Sequence, residues 1–207
     1  MSMARKRVAI LISGRGSNMA ALIDAARDPA YPAEIVLVIS NRPDAAGLAY
    51  ATQRGIETTA IDHTAFATRE AFDAAIEERL AKTRVEIICL AGFMRMLTPP
   101  LVERWRGRML NVHPSLLPEF KGLDTHARAL AAGVKVHGCT VHFVAPELDS
   151  GPIILQAEVP VLKGDDEKDL AARVLAQEHR LYPAALRLLA EGKLKIVGDR
   201  VIVAGAR

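Results

Sequence analysis

The chain has 207 residues, 50% of them hydrophobic and 25% charged, a balance that excludes a disordered protein. The formal net charge is only +3, and we interpret the one basic run, Arg5 to Arg7, as a solvated leader before the first strand rather than a nucleic-acid-binding arm. No apolar segment is long enough for a signal-peptide core or a membrane span. The two cysteines, Cys89 and Cys139, form no disulfide framework and have no metal-type spacing, so the sequence predicts a reduced, cytoplasmic protein.

The first half of the chain alternates short β-branched runs with helix-forming sequence. Strands are predicted at RVAILIS, EIVLVIS, EIICLAG and RMLNVHP. One of the intervening helices is REAFDAAIEERLAKT, where Ala71 and Ala75 mark one face, and a short helix is expected after Pro99 and Pro100. This alternation is typical of βαβ units in a parallel sheet that is buried on both faces.

From about Lys135 the pattern changes. Two consecutive strand-like runs, KVHGCTVHFVA and GPIILQAEVP, are joined by PELDSG, which leaves no room for a crossover helix, so the two strands should be antiparallel. A long helix then fits Asp166 to Leu189, and LKIVGDRVIV predicts a hairpin. The predicted fold class is α/β, a mostly parallel, Rossmann-like twisted sheet flanked by helices with an antiparallel C-terminal extension, in a single domain over residues 1–207.

A glycine-rich turn follows the first predicted strand in ISGRGSNMAALIDAAR. Backbone N–H groups and the positive end of a helix would both point at a ligand there, which favours an anion. Met19 stands where a nicotinamide fingerprint would have its third glycine, and no Walker-type GK[ST] is present. On this motif alone, a phosphate site and a tight turn capped by Ser17 or Asn18 both remain open.

The fourth predicted strand ends in Asn111-Val112-His113-Pro114. Alternate side chains of a strand share a face, so Asn111 and His113 should project together at the edge where open α/β sheets bind ligands. Both can donate to an oxygen that gains negative charge, and Asp149, in the PELDSGP loop, could return to the same edge and orient the imidazole. No serine or cysteine has a nucleophile context, so the nucleophile would come from a substrate.

Several long motifs, in order along nearly the whole chain, resemble those of the phosphoribosylglycinamide formyltransferases, folate-dependent enzymes of purine synthesis. They are ISGRGSN, TREAFD, LAGFMRML, LNVHPSLLP, GCTVHFV, ELDSGPIILQ and QEHRLYP. The resemblance implies formyl transfer from the co-substrate 10-formyltetrahydrofolate to the amine of glycinamide ribonucleotide, without a metal. The implied partners are these small molecules, with no nucleic acid and no membrane. The sequence does not determine the oligomeric state, so a monomer and a homodimer both stay open.

The resemblance also assigns roles to individual residues, with the ribonucleotide phosphate site in the N-terminal half of the chain and the folate site in the C-terminal half. Some relatives carry a histidine where Asp124 stands, so a supporting role for that position does not carry over. From the residues alone, Glu178 is better interpreted as a solvated helix carboxylate. The implied set is Asn111, His113 and Asp149 for catalysis; Gly16, Ser17, Asn18 and Glu178 for the ribonucleotide; Arg69, Met94, Arg95, Met96 and Leu97 for the folate; and Thr140 and His142 as supporting residues.

Four alternative functions account for fewer features of the sequence. A formyltetrahydrofolate hydrolase would be expected to have an additional N-terminal domain and no phosphate-holding turn. A methionyl-tRNA formyltransferase would be expected to have an additional C-terminal domain and a basic surface. A non-catalytic nucleotide-binding module leaves the Asn-His pair and ELDSG unexplained. A nicotinamide oxidoreductase is disfavoured by Met19 and by Asn41, which stands where an acidic residue should end the second strand.

Overall fold

The computed structural model of the protein describes residues 4–205. Its strands are β1 (Lys6–Ile12), β2 (Ala33–Ser40), β3 (Glu57–Ala60), β4 (Ile87–Leu90), β5 (Met109–His113), β6 (Val136–Phe143), β7 (Ile153–Pro160), β8 (Leu194–Val197) and β9 (Arg200–Val203). Its α-helices are α1 (Ser17–Ala26), α2 (Ala46–Thr52), α3 (Arg69–Lys82), α4 (Pro99–Arg104), α5 (Thr125–Ala131) and α6 (Glu167–Ala190).

Seven strands form one sheet in the order β3-β2-β1-β4-β5-β6-β7, and β8 and β9 form a separate antiparallel pair. All neighbours from β3 to β5 are parallel, whereas β6 is antiparallel to both β5 and β7. The predicted fold class is therefore confirmed, including the antiparallel C-terminal extension.

Both faces of the sheet are covered, which explains why its central strands are almost entirely apolar. Along β1, Val8, Ile10 and Ile12 pack on one face with α1 and α6, and Ala9 and Leu11 pack on the other face. All five of these residues are 0% exposed. Tyr182 of α6 reaches the sheet, where its hydroxyl lies 3.0 Å from the carbonyl oxygen of Leu90 and 3.1 Å from that of Leu110.

The structure differs from the sequence predictions in two local respects. The edge strand β3 was not predicted, because ETTA is short, polar and only partly buried. The face of α3 expected from Ala71 was wrong: Ala71 is exposed, and Phe72, Ile76 and Leu80 are buried instead. Larger apolar side chains gain more free energy from burial than alanine does, so they determine which face packs.

The sheet changes its direction of winding between β1 and β4, since β2 and β3 lie on one side of β1 and β4 and β5 on the other. Ligands of open α/β sheets collect beyond the carboxyl ends of the strands at such a switch point. Here those ends lead into the glycine turn, residues 13–16 after β1, and into the segment 91–98 after β4. The fold thus brings two of the predicted binding segments together.

Candidate active site

Asn111 and His113 share one face of β5, while Leu110 and Val112 pack into the core on the opposite face. In the antiparallel pairing with β6, Asn111 lies opposite His142 and His113 lies opposite Thr140. Residues directly opposite in such a pair have their side chains on the same face of the sheet. Four polar side chains from two strands are therefore gathered on one patch of the sheet.

Asp149 returns to this patch from the loop between β6 and β7. Its Oδ2 atom lies 3.4 Å from Nδ1 of His113, and each of the two side chains is 7% exposed. The same Oδ2 atom accepts a hydrogen bond of 2.9 Å from the backbone N–H of Gly122, in the loop that follows β5. The carboxylate is thus held by a second segment of the chain, independently of the imidazole.

The shape of the Asp149 loop depends on the residues around its base. Asp149 has a φ of 47°, in the left-handed region that few residues other than glycine adopt. Gly151 closes the base of the loop, and a Cβ atom at this position would lie 1.8 Å from the carbonyl oxygen of Phe143. Only a residue without a side chain can occupy that position in this conformation.

His142 fixes the orientation of the Asn111 amide. Its Nδ1 atom lies 2.8 Å from the carbonyl oxygen of Phe143, which can only accept, so Nδ1 carries the hydrogen. In the neutral ring, Nε2 is then an acceptor, and it lies 3.2 Å from Nδ2 of Asn111. Burial lowers the pKa of His142, which favours this neutral form. Asn111 is therefore held with its NH2 group toward His142, and this group has a second N–H available for a ligand.

Thr140 supports the loop that follows His113. Its hydroxyl donates to the carbonyl oxygen of Ser115 at 2.7 Å and accepts from the backbone N–H of Leu117 at 3.0 Å. Gln156 on β7 donates to the same hydroxyl at 2.9 Å. Sequence reasoning missed Gln156, although a polar residue directly opposite Thr140 in a hairpin is a signal that could have identified it.

Both ring nitrogens of His113 lie near acceptors. Nε2 is 3.0 Å from the carbonyl oxygen of Phe120, while Nδ1 is near Asp149 as described. A neutral imidazole has one N–H and can donate to only one of these acceptors. The loop after β5 thus contacts both His113 and Asp149, through Phe120 and Gly122 respectively.

The glycine turn begins α1 without a side-chain cap. Gly16 is the N-cap residue, with a φ of 74°, and α1 has no side-chain cap hydrogen bond among residues 4–205, so neither Ser17 nor Asn18 caps it. Asn18 instead donates from Nδ2 to Oε2 of Glu178 at 2.6 Å. The first backbone N–H groups of α1 remain directed out of the helix.

The interpretation of Glu178 as a solvated carboxylate was wrong. The residue is 6% exposed, because α6 packs against α1 and the sheet. Burial raises the pKa of this carboxyl group, and the hydrogen bond from Asn18 opposes that shift. A buried carboxylate needs hydrogen-bond donors, and Asn18 supplies one of them.

The residues implied for the folate differ in how far their side chains are exposed. Met94 and Met96 are 64% and 50% exposed, and Arg95 and Arg69 are also exposed. Leu97 is 7% exposed and packs in the core with Leu101 and Trp105, which agrees with a structural role for its side chain. The segment that carries Met94 lies next to the glycine turn, where the N–H of Ser13 donates to the carbonyl oxygen of Gly92 at 3.0 Å.

Two further histidines near the site pack as part of the structure. The rings of His126 and His137 make an edge contact with centroids 5.3 Å apart, and His137 is 1% exposed. Burial lowers the pKa of His137 to about 4. Asp124 is exposed at the N-cap of α5, with a φ of 55° and no side-chain cap hydrogen bond.

Among residues 4–205, no three histidine, cysteine or carboxylate side chains are grouped so that they could hold a metal ion. Within the same range, no helix combines the length and the apolarity needed to cross a membrane.

This geometry defines a class of protein. An α/β sheet with a glycine turn and an uncapped helix end at its switch point, and with a buried Asn-His-Asp cluster in which no side chain is a nucleophile, is suited to moving an acyl-type group between two bound molecules. The chain belongs to the formyl transferase family, whose model matches residues 6–186. The family resemblance predicted from the motifs is confirmed.

Two curated proteins and one solved structure are examples of what the chain is similar to. The phosphoribosylglycinamide formyltransferase of Escherichia coli is 46% identical over 200 residues, which cover 97% of this chain and 94% of that protein. The structure of glycinamide ribonucleotide transformylase 1 from Symbiobacterium toebii is 49% identical, with a TM-score of 0.95 and coverage of 98% of this chain and 96% of that one. The trifunctional purine biosynthetic protein adenosine-3 of Bos taurus is 53% identical over 192 residues, but the matched part spans only 19% of its length.

Proposed function

We propose that this chain transfers the formyl group of 10-formyltetrahydrofolate to the amine of glycinamide ribonucleotide, in de novo purine biosynthesis. The observation that carries the proposal is the buried contact of 3.4 Å between His113 and Asp149, beside the oriented amide of Asn111. The Escherichia coli phosphoribosylglycinamide formyltransferase, which the chain matches nearly end to end, supports the choice of substrates.

In the proposed mechanism, the neutral amine of the ribonucleotide attacks the formyl carbon. A new C–N bond forms, and the carbonyl oxygen gains negative charge in a tetrahedral intermediate. The bond between the formyl carbon and N10 of the folate then breaks, and a proton moves from the attacking nitrogen to N10, directly or through water. Formylglycinamide ribonucleotide and tetrahydrofolate are the products.

Asn111 and His113 are proposed to stabilise the tetrahedral oxygen. Asn111 would donate the N–H that His142 leaves available, and His113 would exchange the carbonyl oxygen of Phe120 for the developing oxyanion. A hydrogen bond to an anion is shorter and stronger than one to a neutral carbonyl, so this exchange is favourable only as charge develops. Preorganised donors of this kind lower the barrier without reorganisation during the reaction.

Asp149 is proposed to orient the imidazole and to form an ion pair with it while it carries a proton. A carboxylate close to a ring nitrogen stabilises the protonated ring, and the low exposure of both side chains strengthens this interaction relative to water. His113 could then carry a proton between the attacking nitrogen and the leaving N10.

The glycine turn and Glu178 are proposed to bind the ribonucleotide. Gly16, Ser17 and Asn18 present backbone N–H groups to the phosphate at the positive end of α1. Glu178, which Asn18 already holds, would accept hydrogen bonds from ribose hydroxyls. Arg69 and the backbone of residues 94–97 would contact the folate.

The test measures formyl loss from 10-formyltetrahydrofolate with and without glycinamide ribonucleotide, using the purified full chain. Loss that requires the ribonucleotide and matches the formation of formylglycinamide ribonucleotide supports the transferase. Equal loss in its absence would instead assign a hydrolase.

We propose further that one domain carries both binding sites and that the protein works in the reducing cytoplasm. Cys89 and Cys139 are both unpaired and buried. Burial raises the pKa of each thiol to about 12, which keeps it protonated and unreactive. Labelling the native protein with a thiol reagent should therefore be slow.

A further inference from the structure

We propose that Ser13 is a positioning residue that attaches the segment Met94–Leu97 to the glycine turn and so determines how tightly the formylfolate binds. This inference rests on the proposed function. Ser13 is the residue between β1 and Gly14, and neither it nor its partner Asn41 belongs to the residue set assigned above.

Ser13 holds the segment after β4 at two points. Its backbone N–H donates to the carbonyl oxygen of Gly92 at 3.0 Å, and its hydroxyl oxygen accepts from the backbone N–H of Met94 at 2.7 Å. The two bonds bracket Phe93, so the chain there cannot shift along β1 or rotate without breaking one of them.

The hydroxyl hydrogen of Ser13 is directed by a second buried residue. Because the oxygen accepts from Met94, its hydrogen is available to donate, and it donates to Oδ1 of Asn41. His63 lies beside this pair, and its Nδ1 atom is 3.0 Å from the backbone carbonyl oxygen of Asn41. Ser13 is 7% exposed and Asn41 is 2% exposed, so water does not readily replace either partner.

The far end of the segment is fixed separately. Asp73 on α3, which is 4% exposed, accepts from the backbone N–H of Thr98 at 2.7 Å. Between the two attachments, no acceptor within residues 4–205 is in hydrogen-bond range of the N–H groups of Arg95 and Met96. The segment is therefore a short bridge with fixed ends and free polar groups in its middle, which suits recognition of a polar planar ring by backbone atoms.

Ser13 also connects this bridge to the ribonucleotide side. The residue after it, Gly14, accepts from the N–H of Gly47 through its carbonyl oxygen at 3.1 Å, which holds the start of the glycine turn. One short stretch of chain thus sets the spacing between the two predicted substrate sites.

The first test uses amide hydrogen exchange on the substrate-free wild-type protein and on Ser13→Ala. In wild type, the amide of Met94 should exchange more slowly than those of Arg95 and Met96, and in Ser13→Ala that protection should be lost while β1 and β4 keep theirs. Equal exchange of the three amides in wild type would overturn the proposed attachment. This measurement needs no substrate, so its outcome does not depend on the proposed function.

The second test compares the kinetics of Ser13→Ala with those of Ser13→Thr, which keeps the hydroxyl, and Thr83→Val, which removes another buried hydroxyl remote from both sites. We expect Ser13→Ala to raise KM for formylfolate about tenfold, since the backbone N–H of Met94 loses the acceptor that holds it. The KM for the ribonucleotide and kcat should change less than about twofold, and the other two variants should resemble wild type. A Ser13→Ala enzyme with unchanged KM for formylfolate, or with kcat alone reduced, would overturn the inference. Wild-type protein without any transfer activity would instead overturn the proposed function.

Discussion

Asp149 and His113 form a buried contact of 3.4 Å between Oδ2 and Nδ1, although helix α5, strand β6 and their connecting loops separate the two residues in the chain. The carboxylate does not depend on the imidazole for its position, because Gly122 also donates to the same oxygen. A change of charge at residue 149 can therefore be tested without removing the loop contact.

We expect Asp149→Asn to fold normally and to lose about 10²–10⁴ in kcat, the usual contribution of general acid–base catalysis. The amide oxygen of asparagine can still accept from Gly122, but a neutral group no longer stabilises a protonated His113. Steady-state assays with both substrates saturating measure the loss. The matched control is Glu147→Gln, which removes the same charge from an exposed position of the same loop. A variant Asp149→Asn within tenfold of wild type would contradict the proposed role.

Asn111→Asp should reduce kcat by at least about 10²–10³, the typical effect of losing one oxyanion donor. The substitution preserves shape but replaces an N–H donor with a negative charge opposite Nε2 of His142. Binding of both substrates should be affected less than turnover, because the tetrahedral oxygen is charged only during the reaction. Circular dichroism and thermal unfolding check that the fold is intact. Retention of near-normal turnover would show that the amide of Asn111 does not face the reacting oxygen.

Gly16→Ala should destabilise the protein by about 1–2 kcal/mol, because an L-residue is strained at a φ of 74°. Its Cβ atom would also approach Cε of the fully buried Met19 to 2.8 Å. The KM for the ribonucleotide should rise while that for formylfolate changes little. Gly14→Ala is the control for stability, since a Cβ atom there meets nothing within 4 Å. Equal urea-unfolding midpoints for the two variants would contradict the expected strain.

Glu178→Gln should change how stability depends on pH. In the native state, burial raises the pKa of Glu178 above its ordinary value of 4.5, which it keeps in the unfolded state. At a pH between the unfolded-state pKa and the native-state pKa, the native state therefore binds more protons than the unfolded state. The free energy of unfolding of wild type should therefore fall relative to the variant, by at most about 1.4 kcal/mol per pH unit, as the pH rises from 4.5 through the raised pKa. Above that pKa the difference should be constant. Urea unfolding over a pH series measures it, with the exposed Glu158→Gln as the control; a parallel pH dependence for wild type and Glu178→Gln would refute the burial effect.

The sequence predicted the sheet well because its strands are short, β-branched and separated by clear turn signals. It also predicted that Asn111 and His113 share a face, since that follows from strand geometry alone. The edge strand β3 was missed because ETTA has neither alternation nor strong β-propensity. Strand direction within β6 and β7 was predictable from the length of the connection.

Contacts between distant loops could not be predicted in the same way. Nothing in PEFKGLD shows that the N–H of Gly122 will meet Asp149, or that the carbonyl oxygen of Phe120 will lie beside His113. The burial of Glu178 likewise depends on how α6 packs across α1, which helical periodicity does not specify. These features arise from packing between elements, which the local propensity of the sequence does not determine.

Gly151 has no functional group, yet the carboxylate two residues before it can reach the imidazole only because the chain at Gly151 runs so close to the backbone of Phe143. Any larger residue would push the chain away from Phe143 and withdraw Asp149 from His113 while leaving both of them chemically intact. A larger side chain at a position that takes no part in the chemistry can therefore abolish the activity of such an enzyme.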